Sequence, residues 1–177
     1  MEAAKFVISL DFELHWGVFD SYGGTYEANI LGVRKAIPKI LELFEKYDVK
    51  ATWATVGLLF NESSNDYHKY KPALLPSYKE KKLNAFDVPI GPNEEIDELH
   101  YGYSLIQKIA KCPGQEIGCH SYSHYYCQAE GQTIEEFSCD IRSSVAVAND
   151  KLDLKMKSFV FPKNMVNEDY LKVLKQN

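Results

Sequence analysis

The 177-residue sequence contains no long hydrophobic run; nothing in it approaches the ~18 consecutive apolar residues that span a bilayer, so no membrane partner is expected. Basic clusters are missing too. With 20 Lys and Arg against 25 Asp and Glu the net charge is -5, which offers a phosphate backbone little to bind and excludes a nucleic-acid partner from the expected functions. There are four cysteines, Cys112, Cys119, Cys127 and Cys139, and no CxxC spacing, so the usual frame of a structural zinc site is absent. A secretory leader is not apparent either, because residues 6–10 are too short an apolar stretch. The expected compartment is the cytoplasm, with reduced thiols. Without repeats or low-complexity tracts, one domain over residues 1–177 is the natural organisation.

What is present alternates between strand and helix patterns. Residues 5–14 are apolar at their centre, as a buried first strand should be. A glycine-containing loop, DSYGG, follows. Leu31, Ile37, Leu41 and Phe44 then recur at helical spacing, with Pro38 expected to kink that helix or begin its second half. VKATWATV at 49–56 predicts a second strand, with a short helix at 57–60. Residues 61–98 have little periodicity and many turn formers, and read as a long excursion from the core, a lid or an assembly surface. A helix over 99–111, a strand at 116–119, a capped helix from Thr133 to about residue 152, a fourth strand at 158–162 and a final helix over 168–176 complete the pattern. Strand–helix alternation predicts an α/β fold with a parallel sheet or barrel. Four such units do not close an eight-fold barrel, so an incomplete or deformed (β/α) barrel is expected, as a fragment or a short relative of a larger fold.

Three stretches could carry chemistry. SLDFE at 9–13 ends the first strand with two acids; side chains two apart share a face, so Asp11 and Glu13 project together. Taken alone they read first as the solvated end of a strand. HSYSH at 120–124 follows the third predicted strand, and a helical turn there would aim His120 and His124 at one point, as in zinc-binding pairs. Two unrelated histidines would give the same letters. The separate arrival of both clusters at strand ends favours a common site, since α/β proteins bind ligands at that rim. The third stretch, FVFPKN at 159–164, is either a plain turn or a loop offering backbone N–H groups or Lys163 to a developing anion. His15, His68 and His100 read as structural or surface residues. Cys119 and Cys127 bracket the histidine pair but read as buried thiols.

Together and in this order, SLDFE, HSYSH and FVFPKN resemble the motifs of the polysaccharide deacetylase family, also called the NodB homology domain or carbohydrate esterase family four. KATWATVG at 50–57 is similar to its second strand. The resemblance implies a deformed barrel and metal-dependent removal of an acyl group. Asp11 is then the catalytic base, and Glu13, His120 and His124 hold a divalent metal, commonly zinc. D-x-E in place of the family's D-D is similar to a divergent branch with D-x-D. FVFPKN lacks the family's Arg before Pro, with Lys163 as its substitute, and the later Trp-bearing strand and Leu-x-His have no counterpart before Asn177.

These readings predict a hydrolase of a carbon–nitrogen bond, acting on an N-acetylated sugar or polysaccharide precursor, with a glycan or small molecule as its partner. Two alternatives stand beside it: an amidohydrolase of a small cytoplasmic ureide or imide, and a non-catalytic barrel module that binds metal or glycan.

Overall fold

The computed structural model describes residues 5–176. Its centre is a three-stranded parallel sheet in the order β1-β2-β3, formed by Ser9–Phe12, Ala51–Thr55 and Gln115–Cys119. Asp11 is in register with Ala54, and Ala54 with Gly118. The first strand is therefore shorter than its apolar run suggests; the chain leaves the ladder at Glu13 and enters a 3-10 turn over Leu14–Gly17. This is the sheet of a partial barrel, and the α/β expectation holds.

The expected fourth strand is not a ladder strand. Residues 158–160 lie beside β3 and form one isolated parallel bridge, Cys119 with Phe159. Two hydrogen bonds accompany it, from Cys119 N to Ser158 O at 2.9 Å and from Val160 N to Cys119 O at 3.0 Å. Pro162 then removes a donor and turns the chain into a 3-10 segment.

Helix α1 runs unbroken through Glu27–Lys46 with Pro38 inside it, and buries Ile30, Ile37 and Leu41. Helix α3, Tyr103–Lys111, buries Leu105, Ile106 and Ile109, each worth about 1.5–3 kcal/mol on leaving water. These helices share one core with Phe12, Trp53 and Ile117 of the strands. A second cluster joins Phe137 and Ile141 of helix α4, Ile134–Leu152, to Cys119, Phe161 and Tyr170. The capping box at the start of α4 is formed as its sequence predicts, with Thr133 Oγ1 accepting from Glu136 N and the Glu136 carboxylate accepting from Thr133 N. The last expected helix divides into a 3-10 turn at Glu168–Tyr170 and the short helix α5, Leu171–Leu174, entered through Asn167.

The excursion over 61–98 is not a structureless loop. It holds helix α2, Ser64–Tyr70, and buries Tyr67, Tyr70, Tyr78 and Ala85. Its far end is pinned by Arg34, which bonds Glu94 at 2.8 Å and the Glu98 carbonyl at 2.7 Å. Lys151 of α4 holds Glu62 and Asp66, both at 2.6 Å. Periodicity failed here because the buried residues are tyrosines separated by turns rather than one amphipathic stripe. No described helix is long and apolar enough to cross a membrane.

Candidate metal centre

The carboxyl ends of β1 and β3 open on one rim, and the chain continues from both into the site. From β1 come Asp11 and Glu13, and from β3 come His120 and His124. One ligand atom from each of Glu13, His120 and His124 lies within 4.8 Å of the others. Glu13 Oε2 is 3.4 Å from His120 Nε2 and 3.0 Å from His124 Nε2. Asp11 Oδ2 stands at 4.0 Å from His120 Nε2, and its side chain is 44% exposed. β1 and β3 do not pair with each other; two strand spacings, ~9–10 Å, separate them. The added methylene of Glu13 helps to cross that gap.

The histidines do not converge through a helical turn. Residues 120–124 form a non-helical loop in which Ser121 and His124 adopt left-handed backbone conformations, φ 59° and 56°. Each costs roughly 1–2 kcal/mol outside glycine, so the loop is held from several sides. His120 N bonds Thr55 O at 3.0 Å, and Gly57 N and Leu58 N bond Ser121 O and Tyr122 O at 2.8 and 2.9 Å. A side chain at Gly57 would bring its Cβ to 2.8 Å from Tyr122 Cα, so this approach requires glycine. Beneath the loop the carboxylate of Asp140, 1% exposed, accepts from Tyr122 N at 2.6 Å, Ser123 N at 3.1 Å and Ser123 Oγ at 2.5 Å. Burial pushes the Asp140 carboxyl up to about 6, while the Ser123 hydroxyl and the two backbone N–H groups pull the other way.

Both imidazoles are buried, and the bonds at their Nδ1 atoms orient them. His120 Nδ1 lies 2.9 Å from Val160 O. A carbonyl only accepts, so Nδ1 carries a proton, and Nε2, turned toward the site, has no hydrogen-bond partner. His124 Nδ1 lies 3.1 Å from Tyr126 Oη, and the Tyr126 hydroxyl is also hydrogen-bonded to Asp20. Asp20 in turn receives Lys163 Nζ at 2.6 Å, and the same ammonium lies over the Tyr126 ring. Burial would raise the Glu13 carboxyl, but the nearby His120 and His124 outweigh it and hold it at about 2. Desolvation lowers His124 below the ordinary histidine value, opposed by Glu13. A carboxylate beside two buried imidazoles is the donor set of a zinc site with a position left open. The residues fit a divalent ion.

The structure thus brings Asp11, Glu13, His120 and His124 together, while the Lys163 ammonium is engaged by Asp20. His15 packs against His100, which is bonded to Asp97 at 2.8 Å, and all four cysteines are free. Sequence reasoning missed Asp20, Tyr126 and Asp140. Asp140 had a legible signal, an acid on the buried face of α4 between Phe137, Ile141 and Ser144. Asp20 and Tyr126 carried none, since their roles depend on a contact between distant loops. Asp20→Asn is expected to loosen the orientation of Tyr126 and His124 and to weaken zinc binding about 10-fold. Calorimetric titration checks this, and unchanged affinity means the chain of bonds behind His124 does not act on the ligand.

Known proteins give the following likenesses. The family profile described as Polysaccharide deacetylase matches residues 21–177. No curated protein sequence matches the chain. Among solved structures, BA3943, a CE4 family pseudoenzyme from Bacillus anthracis, is 16% identical over 96% of this chain and 40% of its own, with a TM-score of 0.51. The deacetylase PplD of Streptococcus pyogenes, solved with acetate, is 14% identical over 96% and 51%, at 0.52. The peptidoglycan deacetylase PdaC of Bacillus subtilis is 13% identical over 94% and 52%, at 0.51. The chain spans about half the length of these proteins or less, and the likeness is one of fold.

Proposed function

Because the chain belongs to the polysaccharide deacetylase family, we propose that it carries the metal-binding part of a hydrolase that removes an acetyl group from an N-acetylated sugar or polysaccharide precursor. The reading rests on one observation. His120 Nε2, buried and without a hydrogen-bond partner, faces the Glu13 carboxylate at 3.4 Å beside a second buried imidazole, and a shared cation would satisfy all three. Glu13, His120 and His124 would hold a divalent ion, with zinc suited to the imidazoles. The ion would supply a Lewis acid for the acyl carbonyl and acidify the attacking water. Asp11 is the carboxylate left outside the ligand set, exposed enough to meet substrate, and takes the proton of the water as general base. Lys163, its ammonium committed to Asp20, would contribute to the oxyanion through its backbone N–H.

Zinc-loaded protein incubated with N-acetylated sugar oligomers is expected to release acetate. Asp11→Asn should lower that rate ~10²–10⁴-fold while leaving zinc affinity intact. Protein that binds no divalent ion with both histidines intact would falsify the assignment. A second reading, a non-catalytic module that binds metal or glycan, is favoured by the absence of any Lys or Arg side chain bonded to Asp11 among the described residues; His120, at 4.0 Å, is its one ionic-range neighbour there. Glycan binding without acetate release, on a zinc-loaded sample, selects it.

A further inference from the structure

The side chain of Glu13 lies directly over Gly17. The chain leaves β1 at Glu13, whose carbonyl accepts from Trp16 N at 3.0 Å, and the tight turn over Leu14–Gly17 carries residue 17 back beneath the carboxylate. A Cβ built at Gly17 would stand 2.0 Å from Glu13 Oε1, 2.1 Å from its Cδ and 2.6 Å from its Cγ. No real Cβ tolerates such distances. Clashes with the end of a long side chain are ordinarily relieved by a change of rotamer. Glu13 is not free to make that change without leaving the site, because its other oxygen is fixed between His120 and His124 at 3.4 and 3.0 Å. Gly17 also has no left-handed backbone that would by itself require glycine, since only Gly114 and Gly131 among the described glycines have positive φ. The demand for a missing side chain comes from the carboxylate.

We propose that Gly17 is a positioning residue for the metal centre: its missing side chain is the space that lets a glutamate, rather than a shorter acid, serve as the ligand at position 13. This rests on the metal-site reading above. It adds that the ligand at 13 and the residue four places on are coupled, so that each is tolerated only with the other.

The test is a double-mutant cycle read by cobalt and zinc titration of the full chain, with calorimetry for affinity and the visible spectrum of cobalt for ligand geometry. Gly17→Ala is expected to weaken metal binding about 100-fold, the range reached when a ligand loses its support. Glu13→Asp alone weakens binding by shortening the reach. In that background Gly17→Ala should change affinity by less than about threefold, because the shorter side chain no longer lies over residue 17. Equal losses from Gly17→Ala in both backgrounds, or no loss with Glu13 present, overturn the proposal while wild-type binding leaves the metal site standing. Wild-type protein that binds neither metal overturns both. If Gly17→Ala does not fold, Glu13→Ala/Gly17→Ala decides: recovery of folding supports the steric coupling, and failure to recover assigns Gly17 to the turn alone.

Discussion

Alanine in place of His120 is expected to lower zinc affinity by at least ~10³-fold while the metal-free protein stays folded, an effect larger than the ~10–100-fold that follows loss of a supporting contact. Two opposite terms act on the metal-free state. Removing a fully buried imidazole leaves a cavity, which for apolar truncations costs ~2–5 kcal/mol. Against that, the substitution removes an unpartnered nitrogen held beside the Glu13 carboxylate, and an unmet buried polar group costs ~1–3 kcal/mol. The net loss of stability without metal is therefore small for so buried a residue. The metal-dependent part behaves differently. At free zinc ~1,000-fold above the wild-type dissociation constant, wild-type protein gains about 4 kcal/mol by mass action, and the variant gains at most about 0.4 kcal/mol. Thermal unfolding with zinc and with chelator checks both halves of the prediction. A His120→Ala protein that zinc stabilises as much as wild type would place the ion elsewhere.

Asp140→Ala is the second large effect, expected to cost roughly 3–5 kcal/mol although the residue touches no ligand atom. Its carboxylate receives three donors, Tyr122 N, Ser123 N and Ser123 Oγ, all in the loop between the two histidines. Truncation leaves two backbone N–H groups buried and unmet, and withdraws the anchor that offsets the left-handed Ser121 and His124. Zinc affinity should fall with stability, because both ligands of that loop lose their positions. Asp140→Asn should keep part of the stability, since one amide oxygen still accepts while the amide N–H₂ faces donors. The pH dependence has a definite sign. Burial raises the folded carboxyl from 3.8 to about 6, so the folded protein holds the proton over that interval and the unfolded chain does not. Stability from this group is present at low pH and is lost as pH rises from about 4 to 6. Chemical denaturation of metal-free protein across that range should show wild type losing stability relative to Asp140→Asn as pH rises. A wild-type curve that rises over the interval, with the Asn variant parallel to it, removes Asp140 from the account.

The sequence was most legible where one physical rule acted alone. β-Branched and aromatic composition marked β2, and the Thr133–Glu136 pair marked the start of α4, because each signal is local. Asp11 and Glu13 were read as neighbours on one face, and both do approach the histidines. The reason differs for Glu13, which lies beyond the strand and returns through a turn. The histidine pair was readable by its spacing, whereas its conformation was not, since it depends on Asp140 eighteen residues away in sequence and on Gly57 in another loop. The fourth strand failed because SFVFP has strand composition but only Phe159 bridges to β3. Gly17 illustrates the limit best: in the sequence it is one more glycine after a strand, and its importance appears only once the path of Glu13 is known.

The separation of β1 from β3 has a mechanical consequence. Among the described residues β1 pairs only with β2, so within the sheet the first strand, four residues long, is attached to the third solely through its neighbour. An ion gripped by Glu13 on one side and His120 and His124 on the other would be a removable staple across that gap. It would close a chain loop more than a hundred residues long, reaching from residue 13 to residue 120, without any covalent bond. Withdrawing it would first release the sheet's outer strand, so amide exchange over residues 9–12 would report metal occupancy before the helices do. The contact proposed to serve catalysis would thereby also set how firmly the first strand is fastened to the rest.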